Sequence, residues 1–258
     1  MSAYDMGTVF SYQGRFGAAL NSRQDALKGF REAKDSTNWM ASALMGYGEA
    51  LAQVGRGDEA QPSFDEALGI AKQLNNPSTM AQVFYAEGDV ASYRGDFKAA
   101  RPFYEQALQS ASQAKDAEQV LLARNALARN DLQRGNAAAA VASLRNLAAQ
   151  AESQGLKYES LRCHLDLAEA LILTKAMPQA RTELERTLTQ TEKLGLKSLQ
   201  ARAEFLMGNN FRLSGSNSLA ADHYRRALQL LDDIQKEAGD SRILKRADFA
   251  VIAEQAKR

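Results

Sequence analysis

Small and apolar residues recur along the chain with a period of about 40 residues. One column of the pattern is alanine, at Ala60, Ala100, Ala140, Ala180 and Ala220, with Ala19 one residue out of step. Large apolar residues follow these alanines four positions later, at Phe64, Tyr104, Leu144, Leu184 and Tyr224. Because residues four apart are neighbours on a helix, both columns lie on one helical face. The pattern predicts an amphipathic helix that is repeated along the chain.

A second column of small residues lies twelve positions before each alanine, at Gly7, Gly48, Gly88, Ala128, Ala168 and Gly208. Glycine inside a helix costs about 0.5–1 kcal/mol relative to alanine, so this column predicts close helix packing. A breaker separates the two columns, at Gly14, Gly55, Gly95, Gly135 and Gly215, with Lys175 as the exception. Each repeat is therefore predicted to be a helix, a tight turn and a second helix.

Residues at the predicted helix ends fit this interpretation. Asp96, Asn136 and Ser216 directly follow breaker glycines and are good N-caps for the second helices. Gly155 and Gly195 stand in two Gly-Leu-Lys connections between repeats, where glycine is typical of a helix C-cap.

The Gly-Asp-Phe-Lys-Ala-Ala turn at 95–100 and the Ala, Phe/Tyr, Ala series at 60/64/67, 100/104/107 and 220/224/227 resemble the tetratricopeptide repeat. The resemblance implies an all-α fold, a right-handed superhelical solenoid of antiparallel helix pairs. The period exceeds the usual 34 residues and is similar to that of repeat arrays in bacterial regulatory and kinase-associated proteins. The family's first-helix tryptophan is absent, since the single Trp39 lies at the start of the second repeat.

The repeat register predicts one solenoid over 1–240, followed by a C-terminal solvating helix over 241–258. Its six helix pairs are expected at about 1–36, 37–77, 78–116, 117–156, 157–196 and 197–240. Deleting the end helix should expose the last pair around Leu228 and Leu231. Met1 lies only six residues before Gly7, which suggests either a fragment of a longer chain or a short natural start.

Composition supports the helical interpretation and argues against some classes of partner. The chain has 46 Ala and 31 Leu against 7 Val and 5 Ile, a ratio that favours helices over strands. A net charge of +1 gives no global excess that would recruit nucleic acid. The sequence shows neither a leader peptide nor a membrane-spanning stretch, and its single cysteine fits a reducing compartment. We therefore expect a cytoplasmic protein without membrane insertion.

Catalytic constellations are not evident in the sequence. His164 and His223 lie in different repeats, and Cys163 cannot share a helical face with its neighbour His164. Phosphate-binding loops, zinc-protease motifs and nucleophile elbows are missing, and Asp232 and Asp233 are typical of a solvated helix face. We expect no enzyme activity, no cofactor and no metal.

The first helices of a helix-pair solenoid line its concave side, so their residues four apart form stripes that can face a ligand. The stripes are Tyr4-Thr8-Tyr12, Met45-Glu49-Gln53, Tyr85-Asp89-Tyr93, Asn125-Arg129-Gln133, Leu165-Glu169-Leu173 and Phe205-Asn209-Leu213. The candidate ligand-binding residues are Tyr12, Met45, Glu49, Gln53, Tyr85, Asp89, Tyr93, Asn125, Arg129, Gln133, Glu169 and Asn209. The alternative is that the tyrosines cover neighbouring helices while the charged residues are solvated.

Two functions remain open at this stage. The mixed stripes favour a non-enzymatic scaffold that binds a protein or peptide, and the resemblance suggests part of a larger bacterial regulator. The alternative is a small-molecule sensor that encloses its ligand in the superhelix. Glu49 and Asp89 favour a ligand with a basic residue toward the N-terminal repeats and an acidic or amide group near Arg129. Some tetratricopeptide repeat proteins bind the C-terminal carboxylate of chaperone tails with several basic and amide side chains on these stripes. Here Arg129 is the single basic residue of the stripes, so the pattern differs from that carboxylate clamp. The apolar C-terminal stripes could join two copies of the chain.

Overall fold

A computed structural model of the chain describes residues 2–256, and nearly all of them lie in helices. The α-helices are α1 (Ala3–Tyr12), α2 (Phe16–Glu32), α3 (Asn38–Gln53), α4 (Gln61–Gln73), α5 (Pro77–Tyr93), α6 (Phe97–Ala114), α7 (Ala117–Gln133), α8 (Ala137–Ser153), α9 (Lys157–Leu173), α10 (Met177–Leu194), α11 (Lys197–Leu213), α12 (Asn217–Ala238) and α13 (Ala247–Gln255). No β-strand occurs among residues 2–256. The predicted all-α class is confirmed.

The helices alternate in the predicted way between first and second members of a pair. Each odd-numbered helix from α1 to α11 is joined to the next by a short turn, except that a 3₁₀ helix, Gly57–Glu59, lies between α3 and α4. Within the pairs, α1 packs on α2 and α5 packs on α6. First helices also contact the first helix of the next pair, as α3 does with α1 and α5, and α11 with α9. This packing places the predicted stripes of neighbouring repeats side by side.

Most of the predicted turn chemistry is present. Asp96 caps α6 by accepting a hydrogen bond from the backbone N–H of Ala99 at 2.9 Å. Asn136 is the N-cap residue of α8, as predicted, but its side chain makes no capping hydrogen bond. Lys175, the exception among the breakers, takes the left-handed conformation with φ 63°, as the glycines do. A lysine there is strained relative to glycine, and the repeat geometry imposes this conformation.

The second small column has the packing role that the sequence predicts. A β-carbon at Gly48 would lie 2.6 Å from the ring of Phe64, and one at Gly88 would lie 2.5 Å from the ring of Tyr104. Gly208 faces the ring of Tyr224 in the same way. Glycine therefore lets an aromatic ring of the second helix lie directly on the backbone of the first helix.

The alanine column is buried as predicted. The exposed fraction of Ala60, Ala100 and Ala180 is zero, and Ala140 and Ala220 are 4% and 2% exposed. These residues belong to the second helices α4, α6, α8, α10 and α12 or to the turns before them. The small side chain at this position allows the paired helices to approach each other.

The chain forms two compact units. Unit 1 comprises the chain up to Leu127 together with Gln235–Ala247, and unit 2 comprises Ala128–Ile234 together with the chain from Asp248. The core of unit 1 is built from α2, α3, α4 and α5, with Leu44, Leu51 and Phe64 almost wholly buried. A stretch close to the C-terminus therefore belongs to the unit that contains the first three helix pairs.

The C-terminal region differs in detail from one continuous helix. Ser241–Lys245 forms a 3₁₀ helix, and α13 follows from Ala247 to Gln255. Residues 257 and 258 of the predicted end helix, like Met1 at the other terminus, lie outside the described residues. Phe249 and Ile252 of α13 are buried. That this region protects the sixth helix pair stays a prediction.

Candidate functional site

The face of α1, α3 and α5 in unit 1 carries the N-terminal stripes, and we call it the first-helix surface. Gln53 at the end of α3 is buried, and its side-chain oxygen accepts a hydrogen bond from the Ser11 hydroxyl at 2.8 Å. Its amide nitrogen donates to the Glu49 carboxylate at 3.4 Å. Glu49 is half-buried, so it keeps an accessible edge on this surface. The two polar residues of this stripe are thus oriented by neighbouring side chains.

The next stripe, on α5, is tied to the second helix of its own pair. Tyr104 on α6 donates a hydrogen bond from its hydroxyl to the Asp89 carboxylate at 2.7 Å. Asp89 is buried, and the ring of half-buried Tyr85 lies 5.8 Å from the Tyr104 ring, centroid to centroid. Asp89 therefore has a structural contact that the helical periodicity does not predict. Tyr93 at the end of α5 is half-buried and meets a different neighbour.

That neighbour is Arg246, from the C-terminal part of unit 1. Its guanidinium carbon lies 3.9 Å from the centroid of the Tyr93 ring and 5.2 Å from that of the Phe16 ring. One guanidinium nitrogen donates to the backbone carbonyl of Gln53 at 2.8 Å. Arg246 is only 5% exposed. An arginine side chain thus occupies a site formed by aromatic rings and a helix-terminal carbonyl, where cation–π attraction and hydrogen bonding act together.

Residues 237–247, which we call the end segment, contact several helix junctions of unit 1. The Glu237 carboxylate accepts hydrogen bonds from the backbone N–H groups of Gly17 and Ala18 at 3.0 and 3.1 Å. These are donors without an intrahelical partner at the N-terminus of α2, where a carboxylate also complements the helix dipole. Farther along, the backbone of Arg242 and Ile243 lies against Gly55. The segment is therefore held by backbone as well as side-chain contacts.

Charged residues border this contact on the solvent side. Arg242 pairs with Asp240 at 2.7 Å and reaches Glu59 at 3.4 Å, and Glu59 also pairs with Arg56 at 2.5 Å. The hydrogen bond from Arg242 lowers the pKa of Asp240, and the hydrogen bond from Arg56 lowers the pKa of Glu59. All four side chains are partly exposed, so these ion pairs add little stability and mainly fix orientation.

In unit 2 two of the predicted residues, Gln133 and Glu169, belong to a cluster of hydrogen bonds and ion pairs. Gln133 is exposed and donates to Glu169 at 2.9 Å. Arg202 on α11 pairs with Glu169 at 2.6 Å and with the wholly buried Asp166 at 2.7 Å. Glu169 is therefore engaged by two side chains, which link α7, α9 and α11.

The remaining predicted residues divide between core and surface. Met45 and Asn125 are buried, Glu49 and Arg129 are half-buried, and Tyr12 is 40% exposed. Asn209 is half-buried and accepts a hydrogen bond from the Tyr224 hydroxyl at 2.7 Å, as Asp89 does from Tyr104. Of the apolar C-terminal stripes, Leu165 and Phe205 are buried, whereas Leu173 and Leu213 are 55% and 54% exposed.

The potentially reactive residues have structural surroundings. Cys163 is buried, and burial together with the nearby Asp166 raises the pKa of its thiol far above the ordinary value. His164 lies between Glu183 and Glu152, with ring nitrogens 2.8 and 3.1 Å from their carboxylates. Within residues 2–256, no group of three or more His, Cys, Asp and Glu residues is arranged to hold a metal ion. Over the same residues, no helix is both long and apolar enough to cross a bilayer.

Sequence reasoning missed Arg246, Phe16, Asp166 and Arg202. Arg246 and Phe16 lie outside the repeat columns, and their contact joins residues that are far apart along the chain. Asp166 is adjacent to the predicted Leu165-Glu169 stripe, and the local pattern alone does not distinguish it as a partner of Arg202. The contact of Arg246 with Phe16 depends on the tertiary fold. The contact of Asp166 with Arg202 depends on the relative rotation of α9 and α11.

Known proteins with similar sequences or structures include bacterial regulators. The "Regulatory protein RapG" of Bacillus subtilis (strain 168) is 29% identical over 112 residues, which are 43% of this chain and 31% of that protein. The chain thus matches about a third of the length of this curated relative. The crystal structure of a Rap protein complexed with Competence and Sporulation Factor has a TM-score of 0.69 at 14% identity, over 99% of this chain and 74% of that one.

Two further solved structures share the fold. The apo form of RapI has a TM-score of 0.64 at 16% identity, over 91% of this chain and 83% of that one. BtubC (BKLC) from P. vanneervenii has a TM-score of 0.61 at 16% identity, over 84% and 91% of the two chains. At these identities the likeness shows the helical-repeat fold alone.

Two family models match the chain, and both describe the tetratricopeptide repeat. One covers residues 39–113 and the other covers residues 125–193. The two matches together account for more than half of the sequence and contain most of the glycine and alanine columns. The observed pairing of helices and the packing of small first-helix residues against second-helix rings agree with these matches. The chain belongs to the tetratricopeptide repeat family.

Proposed function

We propose that this protein is a non-enzymatic scaffold that binds a polypeptide segment of a partner on the first-helix surface of unit 1. The observation that carries the proposal is the seating of Arg246 against Tyr93 and the Gln53 carbonyl. This surface therefore accommodates a charged side chain of a polypeptide with both ring and hydrogen-bond contacts. The same kinds of contact would serve a partner segment.

The composition of the surface supports a polypeptide ligand. Tyr85 and Tyr93 are half-buried, so neighbouring residues already hold each ring in place. The exposed part of each ring can add contact area with a ligand. The carboxylate of Glu49 adds negative charge near the buried amide of Gln53. A segment with a basic side chain directed toward α3 and α5 would complement this surface.

The relatives favour a regulatory setting. RapG is named a regulatory protein, and a Rap protein with the same fold has been solved in complex with Competence and Sporulation Factor. We extend to this chain only the general role of binding a regulatory partner, and we place it in the cytoplasm, as the single cysteine favours. Because the match covers about a third of RapG, the chain is proposed to act as the partner-binding part of a regulatory system.

A small-molecule sensor is the less favoured alternative. A surface cavity of about 400 Å³ in unit 1 is lined by Ser2, Ala3, Tyr4, Asp5, Ala26, Phe30 and Trp39. Among the stripe residues it includes only Tyr4, so it does not use the polar groups of Glu49 or Gln53. The polar groups of the cavity are therefore those of Ser2, Tyr4 and Asp5, and it lies apart from Glu49 and Gln53.

Selection from a random peptide library tests the proposal while the partner is still unidentified. The full wild-type chain is immobilised, the bound peptides are sequenced, and their affinities for the wild-type chain and for the Glu49→Gln variant are then measured. We expect peptides enriched in arginine or lysine, with several-fold weaker affinity for the Glu49→Gln variant because a complementary charge is removed. A control variant, Glu105→Gln, alters an exposed carboxylate on the second helix α6. Selection of no peptide, or equal weakening by both substitutions, would contradict the proposal.

A further inference from the structure

The end segment meets the first three repeats one after another. The carbonyl oxygen of Glu237 would lie 2.6 Å from a β-carbon at Gly17, in the first turn of α2. The backbone nitrogen of Ile243 would lie 2.7 Å from a β-carbon at Gly55, and the methyl group of Ala247 would lie 3.6 Å from one at Gly95. The end segment therefore advances by about five residues from one helix junction to the next.

Glycine at these junctions makes room for a passing backbone. Gly55 has φ +83° and Gly95 has φ +77°, so the left-handed turn itself favours glycine at both positions. At Gly55 a second reason applies, because any side chain there would collide with the backbone of the end segment. The end segment therefore contacts Gly17, Gly55 and Gly95 in the order of the chain, and its backbone fits the space that glycine leaves at Gly55.

Two side chains anchor the end segment. Ile243 is wholly buried and Arg246 is 5% exposed, whereas Ser241 and Arg242 before them are exposed. The anchors are three residues apart, one aliphatic and one cationic. Buried and exposed side chains therefore alternate along the end segment. Bound peptides have the same pattern, with anchor side chains inserted into the receptor and the others directed to solvent.

The geometry of the end segment makes it easier to release than a helix of the repeats. Ser241–Lys245 is a 3₁₀ helix of five residues, which is longer than is common for this poorly hydrogen-bonded conformation. Gly239 precedes it with φ 66° and separates it from α12. Its ion pairs, from Arg242 to Asp240 and Glu59, are partly exposed. Release breaks the hydrogen bonds that the N–H groups of Gly17 and Ala18 and the Gln53 carbonyl make with side chains of the end segment.

We propose that the three helix junctions at Gly17, Gly55 and Gly95 form a docking site for an arginine-bearing polypeptide segment, and that residues 237–247 occupy this site until a partner segment replaces them. The proposal rests on the proposed function and names its ligand: an aliphatic residue followed three positions later by arginine. Arginine is preferred over lysine because the planar guanidinium stacks on Tyr93 and donates to the Gln53 carbonyl at the same time.

The experiment uses a fluorescein-labelled peptide with the sequence of residues 236–248 and a matched peptide with alanine at the position of Arg246. Both are titrated by fluorescence anisotropy into the wild-type chain and into the full-length double variant Ile243→Ala, Arg246→Ala. The double variant loosens the end segment and leaves the receiving residues unchanged. We expect it to bind the arginine peptide at least tenfold more tightly than the alanine peptide, and at least tenfold more tightly than the wild-type chain binds it.

A second variant covers the case in which the double variant does not fold. Arg246→Lys keeps the charge and the Ile243 anchor but loses the planar contact, so it should bind the arginine peptide more tightly than the wild-type chain does. Circular dichroism establishes that each variant retains its helices. If the folded variants bind the arginine and alanine peptides equally, or bind neither, the end segment is a fixed part of unit 1 and the proposal is overturned.

The outcome is distinguishable from failure of the proposed function. Peptides selected from the random library should compete with the arginine peptide for the double variant. If selected peptides bind the first-helix surface without this competition, the scaffold proposal stands and the docking site at the three junctions is refuted. If the library gives no ligand while the arginine peptide binds as expected, the docking site stands and the broader scaffold proposal loses its support.

Discussion

The ring of Tyr104 lies so close to the backbone of Gly88 that a β-carbon at position 88 would be 2.5 Å from the ring. The same spacing of sixteen residues joins Gly48 to Phe64 and Gly208 to Tyr224. In the fourth and fifth repeats, the corresponding pairs are Ala128 with Leu144 and Ala168 with Leu184. In these three repeats glycine accompanies an aromatic ring, and in the fourth and fifth alanine accompanies the less extended leucine. In the first repeat Gly7 instead faces the side chain of Arg23. The relation sets how closely the two helices of a pair can approach.

Replacing Gly88 by alanine should destabilise the protein. The added methyl group would collide with the Tyr104 ring, and overpacking of this kind costs about 1–3 kcal/mol. Gly69, inside α4, offers a matched control because nothing lies within 4 Å of a β-carbon there. Gly69→Ala should stabilise by about 0.5–1 kcal/mol through helix propensity. Urea unfolding measures both changes, and equal effects would refute the packing role of the glycine column.

The pairing of small and large residues predicts that a second substitution partly rescues Gly88→Ala. Adding Tyr104→Leu to Gly88→Ala gives the pairing of alanine with leucine that the fourth and fifth repeats have. Alone, Tyr104→Leu should be destabilising because the hydrogen bond to Asp89 and ring contacts are lost. Combined, the two substitutions should cost about 1 kcal/mol less than the sum of the single effects. Strict additivity in this double-mutant cycle would show that the two positions are independent.

The contribution of His164 to the stability of the protein should fall as the pH rises through its raised folded-state pKa. Burial lowers the pKa of His164, but hydrogen bonds to Glu183 and Glu152 outweigh it, and the pKa is raised in the folded state. This stabilisation is fully present below the unfolded pKa of about 6.5 and is lost as the pH rises through the folded pKa. The pKa of Glu183 and that of Glu152 are lowered by the same hydrogen bonds, so their stabilisation is lost only in acid.

Comparison of the wild-type chain with His164→Gln isolates this dependence. Glutamine retains a hydrogen-bond donor without a titrating charge. The stability difference between the two proteins, measured by urea unfolding at each pH, should be largest at about pH 6 and should shrink toward about pH 9. A difference that is constant over this range would exclude His164 as the titrating group.

The repeat architecture was accessible from the sequence because its determinants are periodic and local. The spacing of four residues between Ala100 and Tyr104 places both on one face of α6, and the structure buries both. The breaker glycines separate the paired helices in the same register. Periodicity also suggested that close helix approach explains the glycine column, and the rings of Phe64, Tyr104 and Tyr224 supply it.

The candidate site could be predicted only in part. Tyr93 and Gln53 were predicted as ligand-binding residues from their helical face, and that role stays a prediction. Their contact with Arg246 could not be predicted, because it depends on how the end segment packs in unit 1. Asp89 was assigned to the ligand surface, yet its carboxylate accepts the Tyr104 hydroxyl hydrogen bond. A sequence pattern shows which face of a helix a residue occupies. It does not show whether a side chain from the paired helix is close enough to form a hydrogen bond with that residue.

The affinity of a library-selected peptide for Tyr93→Ala and Glu105→Lys variants tests the central claim most directly. Tyr93 contributes its ring to the first-helix surface, whereas Glu105 is exposed on α6 and pairs with Arg101 at 2.9 Å. By calorimetry, with thermal unfolding as the control for folding, Tyr93→Ala should weaken binding by about 1–2 kcal/mol or more and Glu105→Lys should change it little. Equal effects, or weakening by Glu105→Lys alone, would place the ligand on the second helices and contradict the account.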